Sequence, residues 1–255
     1  MNTSKEVSVW LAENIRLSAF TASDAVDLGV TWWNDVTKQQ PDTRSVKNKA
    51  RLQENGSIRN NLCDLSLDYQ PGRIDWNLTP LLEAGQPVTE LPSFARFADA
   101  LALASELFSP WLDHCPILKR LAFGAVINMP VKDRVEGYQT ISRFLPAIKL
   151  DCENSSDFTY TINRPRLTTT GIRGLNLNRV TRWAVIRGGI GWKTNAPDGT
   201  PAALPPATEF HACRVEIDIN TAVEYPNLLQ ITDLKLLFPE LLKLAEEIAL
   251  NGDIS

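Results

Sequence analysis

Histidine is nearly absent from this chain: two residues in 255, His114 and His211. Imidazole is the side chain that ordinarily titrates closest to neutrality, so candidates for acid–base chemistry at pH 7 are few. Apolar runs are short, and none is long enough to cross a bilayer as a helix, so no membrane association is expected. The opening MNTSKEVSVWLAEN lacks the basic-then-apolar pattern of a secretory signal. The four cysteines, at 63, 115, 152 and 213, show no paired spacing, which argues against a disulfide scaffold and for a reducing cytoplasm. Phosphate-loop, zinc-protease and nucleophile-elbow motifs are missing, and Arg187-Gly-Gly-Ile-Gly191 is too short for a dinucleotide fingerprint. No cofactor is implied.

What remains is a chain with 44% hydrophobic residues and a formal charge of −4, able to bury one large core or two smaller ones. Residues 15–20 alternate as a strand, and Thr21 to Asp24 form a helix-start cluster before Val26, Val30 and Trp33 at helical spacing, so a helix is expected over 25–36. Of the adjacent Trp32 and Trp33, about 100° apart on that helix, one is expected in the core and the other at an interface. Asn55-Gly56 reads as a hairpin turn, because both residues tolerate positive φ. Cys63 to Tyr69 and Ile74 to Leu78 alternate cleanly about a Pro71-Gly72 turn. An apolar helical stripe then runs from Pro92 to Leu112.

The order recurs in the second half. Strand 121–129, helix 131–145, strands 158–162, 180–187 and 210–220, and a closing helix over 234–250 follow, with Pro239 kinking or starting that helix and Gly252 beyond its end. The expected fold class is α+β, with two similar lobes, 1–115 and 116–255, each a mostly antiparallel sheet packed by two helices and suggestive of internal duplication. The Val215-Glu-Ile-Asp-Ile-Asn220 strand and the Leu237-Phe-Pro-Glu-Leu-Leu-Lys-Leu-Ala-Glu-Glu247 helix resemble an uncharacterised bacterial family of two-lobed α+β proteins of roughly this length. The resemblance implies fold and host only and assigns no catalytic residue.

Charge is distributed unevenly. Between Phe158 and Pro197 stand Arg164, Arg166, Arg173, Arg179, Arg182, Arg187 and Lys193 without a single acid, so this window carries +7 and the rest of the chain −11. A Gly/Pro-rich loop over 188–207 follows, with Trp192 beside Lys193. Loops of that length are commonly functional, and arginines with a nearby aromatic ring suit phosphates and bases. The functional reading is a non-catalytic protein that binds an anionic macromolecule, RNA, DNA or an acidic protein surface, through the basic lobe. The bland reading is a solvated sheet face, or arginines that pair with acids of the other lobe or of another subunit. A competing function is an accessory or inhibitory subunit that binds a protein partner in a bacterial conflict or defence complex.

Two metal readings are weaker. His114-Cys115 and His211-Ala-Cys213 offer four zinc-type ligands without the usual gap between them. Glu216 and Asp218 share the polar side of a strand, as do Asp64 and Asp68, and paired carboxylates can hold Mg²⁺ for phosphodiester cleavage. Every half-exposed antiparallel strand, however, needs a wet side of this kind.

Overall fold

Apolar and polar residues alternate through most of the chain, and the fold converts that alternation into one sheet. The computed structural model describes residues 9–81, 91–189 and 209–253. The strands are β1 (Leu11–Thr21), β2 (Thr43–Lys47), β3 (Arg51–Ile58), β4 (Cys63–Gln70), β5 (Arg73–Thr79), β6 (Ala95–Arg96), β7 (Leu118–Val131), β8 (Thr159–Asn163), β9 (Arg166–Leu167), β10 (Asn176–Gly189) and β11 (Glu209–Thr221). The helices are α1 (Trp32–Thr37), α2 (Phe97–Leu112), α3 (Arg134–Ser142) and α4 (Ile231–Asn251). The fold is mixed α+β. Its sheet runs in the order β2-β3-β4-β5-β1-β7-β11-β10-β8, with β6 on β1, β9 on β10 and each of these neighbouring pairs antiparallel.

Register explains why one side of this sheet is dry. Leu17 lies opposite both Trp76 and Phe123, Trp76 opposite Leu67, and Val215 opposite Ile127 and Trp183. All of these side chains are buried, and side chains directly opposite in a ladder share a face. The four helices pack on that face. Trp33 of α1 and Phe108 of α2 meet Trp76, Gly137 of α3 approaches Val185, and α4 lies against β7 and β11. The first half's core is aromatic: Trp32 packs on Tyr69 and Trp111, and Trp76 on Trp33, Phe108 and Trp111, with ring centroids 5.0–6.3 Å apart.

Several local readings are corrected. The helix expected over 25–36 is reduced to Trp32–Thr37. Before it, the Ser23 and Asp27 side chains accept from the backbone of Ala25 and Gly29, and the Tyr69 hydroxyl donates to the Ala25 carbonyl. Such side-chain bonds compete with helical ones. Trp32 and Trp33 are both buried, so neither is the exposed interface residue expected of the pair. Asn55-Gly56 lies inside β3. The turn falls instead at Asn48-Lys49, both with φ of 52°, which suits a tight hairpin between β2 and β3. Gly56 is required for close approach: a Cβ there would stand 3.0 Å from the Asp42 nitrogen and 3.1 Å from the Trp33 ring. Residues 94–96 are not helical, because Phe94 donates to the Ala12 carbonyl and β6 pairs with β1. Helix α3 begins after Asp133, whose carboxylate accepts from the Glu136 N–H at 2.9 Å. Pro239 lies within α4, well past its start.

Two outcomes follow for stability. Gly56→Ala is expected to cost about 1–3 kcal/mol by overpacking, measured by urea denaturation; a neutral result would return Gly56 to a turn-like role. Glu54, on the helix side of β3 and 1% exposed, pairs with Arg44 at 2.8 Å. Burial pushes its pKa above the usual glutamate value, and Arg44 pulls it only part of the way back. The folded chain therefore holds that proton more tightly than the unfolded chain, and the penalty is relieved as pH falls through the raised folded pKa toward the ordinary 4.5. Glu54→Gln is expected to stabilise the protein at pH 7, with the gap to the parent narrowing on acidification toward pH 4, read from denaturation curves across that range.

Candidate binding surface

The four helices occupy one face of the sheet, and among the described residues no helix covers the other face. Most of its residues are the polar members of each alternation, joined by Phe20, Gly124, Val126 and Val180. One row crosses the strands as Asn55, Ser66, Asn77, Arg16, Gly124, Asp218 and Val180, and a neighbouring row includes Asn14, Val126, Glu216, Arg182 and Thr161. Charges of both signs interleave. Arg51 donates to Asp68 at 2.7 Å, and Arg73 lies 2.7 Å from Asp75. Arg73 and Arg120 flank the Phe20 ring at 5.3 and 4.9 Å. A bulge at Glu13, between the Ala12 and Asn14 pairings of β1 with β7, brings its carboxylate to Arg214 at 2.6 and 3.0 Å and to Asn128 at 2.7 Å. Bulges re-aim side chains in this way.

The basic window is spread over different parts of the fold. Arg164 grips the buried Asp253, just beyond α4, at 2.8 and 2.9 Å. That guanidinium holds the Asp253 carboxyl below the usual aspartate range, and the Tyr160 hydroxyl assists at 3.0 Å. Arg166 reaches the buried Glu240 of α4 at 3.4 Å. Burial pushes the Glu240 pKa up, but hydrogen bonds from Thr168 and Thr169, together with Arg166, outweigh it and leave the pKa lowered. Arg179 donates to the Arg164 carbonyl, and burial pushes its pKa down. Arg187 pairs with Glu209 across the β10–β11 ladder, and that contact raises its pKa.

Arg182 alone of these projects from β10 onto the open face, beside Glu216 at 3.6 Å. Arg173 is exposed between β9 and β10. One residue on from Arg182, Trp183 turns to the helix side and is fully buried against Trp10 and Phe144. Trp192, Lys193 and the loop from 190 to 207 lie outside the described residues.

Glu216 and Asp218 do share the wet side of β11, but each faces arginine. Glu216 stands 3.6 Å from both Arg182 and Arg214, and Asp218 is 3.6 Å from Arg16. Cationic neighbours compete with a divalent metal for such carboxylates. Among the described residues no three His, Cys, Asp or Glu side chains converge as metal ligands. Burial pushes the Cys115 and Cys213 thiols up to about 12, which opposes the thiolate form zinc requires.

Arg16, Glu13, Arg214 and Gly124 were not legible as site residues. Gly124 carried the one available signal, since glycine inside an otherwise apolar strand marks a close approach. Comparison with protein-family models, curated proteins and solved structures found no match to this chain.

Removing Arg164 leaves the buried Asp253 carboxylate without its cationic partner, so Arg164→Ala is expected to destabilise the protein at pH 7. Because the folded Asp253 pKa is lowered, its contribution is complete above the ordinary 3.8 and disappears as pH falls through the lower folded value. The deficit of the variant in urea denaturation should accordingly narrow below pH 4; a constant deficit would assign it to lost packing.

Proposed function

We propose that this protein is a non-catalytic binding module that docks a protein partner on the open face of its sheet. One observation carries the reading: arginines of the basic window are spent on the chain's own acids, while the open face interleaves cations and anions strand by strand. A surface of that kind complements a protein face of mixed charge. A polyanion would meet repulsion from Asp68, Asp75, Glu216 and Asp218 as well as attraction. The chain then acts as an accessory or inhibitory subunit, as in a bacterial conflict or defence complex, and only the bacterial host rests on the family resemblance of 215–220 and 237–247. The two halves are read as copies of one unit. In support, the last meander strand of each half, β5 or β11, returns antiparallel to that half's first strand, β1 or β7.

The competing reading is nucleic acid held through Arg173, Arg182, Arg187 and the segment containing Trp192 and Lys193. Filter binding of single-stranded RNA and duplex DNA by the full chain separates the two readings. The protein-partner reading expects no retention whose log affinity falls with log salt. It also expects a co-purifying partner to be lost from the Ser66→Trp/Asn77→Trp variant, which loads bulk onto the open face, and kept by Arg173→Ala. Salt-sensitive oligonucleotide binding that disappears in Arg182→Glu/Arg187→Glu would overturn it in favour of nucleic acid.

A further inference from the structure

A depression of about 320 Å³ opens on the polar side of the sheet over β7, β11 and β10. Gly124 contributes to its floor, Val126 and Val180 add aliphatic surface, and Arg16, Arg182, Glu216 and Asp218 bring opposite charges to it. The cause is local. At Gly124 the row between Arg16 and Asp218 has no side chain, and the Arg16 guanidinium lies across the gap. A Cβ at 124 would stand 3.2 Å from Arg16 Nη2. Arg16 is pressed so closely that its Nε has no solvent access and no hydrogen-bond partner among the described residues.

The ion pairs here differ from others in this protein. Arg51–Asp68, Arg73–Asp75, Arg164–Asp253 and Arg214–Glu13 close to hydrogen-bonding distance. In the depression Arg16–Asp218 and Arg182–Glu216 stand at 3.6 Å, too far for a direct hydrogen bond. Among the described residues the Arg16 Nη groups and the Arg182 fork thus keep N–H donors, and Glu216 keeps its acceptors, beside an aliphatic floor. Together these features set the ligand chemistry. A guanidinium fork matches a carboxylate, an acidic side chain matches an ammonium, and Val126 with Val180 match an apolar group.

We infer that this depression binds a small zwitterion of the aliphatic α-amino acid class, its carboxylate on Arg16 and Arg182 and its ammonium on Glu216 and Asp218. The depression lies within the open face proposed above for docking, but the inference does not rest on that reading, and small-molecule binding by the chain alone tests it separately.

Calorimetric titration of the full chain with L-leucine tests the assignment. Two probes each carry half of its charge: 4-methylpentanoate has the carboxylate alone, and 3-methylbutylamine the ammonium alone. L-leucine is expected to bind with a Kd on the order of 1 mM, as suits an open site, and each half-probe about tenfold more weakly. Arg182→Met and Asp218→Asn should each weaken leucine about tenfold. Gly124→Val, which puts a side chain into the floor beneath the Arg16 guanidinium, should abolish binding while leaving the thermal unfolding transition cooperative.

Equal binding of 4-methylpentanoate and leucine would overturn the inference, reducing the site to an anion contact. So would the absence of leucine binding, or binding undiminished in a folded Gly124→Val protein.

Discussion

The antiparallel ladder between β1 and β7 is the constraint on which the structure depends. It joins the first strand of one half to the first strand of the other, matching Leu17 with Phe123 and Ile15 with Ala125 on the buried side. The meander β2–β5 extends the sheet from β1, and β11, β10 and β8 extend it from β7. Every helix must then find its cover on the same apolar face. Helices α2 and α4 meet there, and the Trp10 indole beside β1 donates to the Ala249 carbonyl of α4. Burial on one face alone leaves the opposite face polar by necessity, since alternation hands each strand's remaining side chains to solvent.

Antiparallel pairing also determines what a run of arginines becomes. The window from 158 to 197 contains no acid. Once β10 lies against β11, though, Arg182 sits opposite Glu216 and Arg187 lies near Glu209. The return of α4 across the sheet brings Glu240 and Asp253 to Arg166 and Arg164. Charge segregated along the chain is therefore neutralised in space. The exception lies over Gly124, where oppositely charged groups converge without closing their hydrogen bonds.

Legibility followed the range of the interaction. Cys63 to Gln70 alternates buried and half-buried at every position, as its residues announce, and α4 buries the stripe of Leu237, Leu241, Leu244 and Ile248. The α+β class could be read because such periodicities are local. Asn55-Gly56 misled because its turn chemistry is indistinguishable in one dimension from a glycine demanded by a tryptophan stacked above it. The segment after Thr21 misled because the Tyr69 hydroxyl, supplied from a later strand, helps hold it out of helix. Glu13 was invisible because a bulge exists only relative to the strand it faces.

By itself, the amino-acid sequence determined the strands' wet and dry sides, the amphipathic helices and the identity of the polar residues available for recognition. Those properties depend on side-chain chemistry and on spacings of two and 3.6 residues, which the chain carries locally. Only the tertiary structure decided that the two halves share one sheet, that most of the basic window is internally paired, and that Arg16 meets Asp218 across a glycine. Each of these requires residues far apart along the chain to be brought into register, and register is a property of strand pairing that no single segment contains.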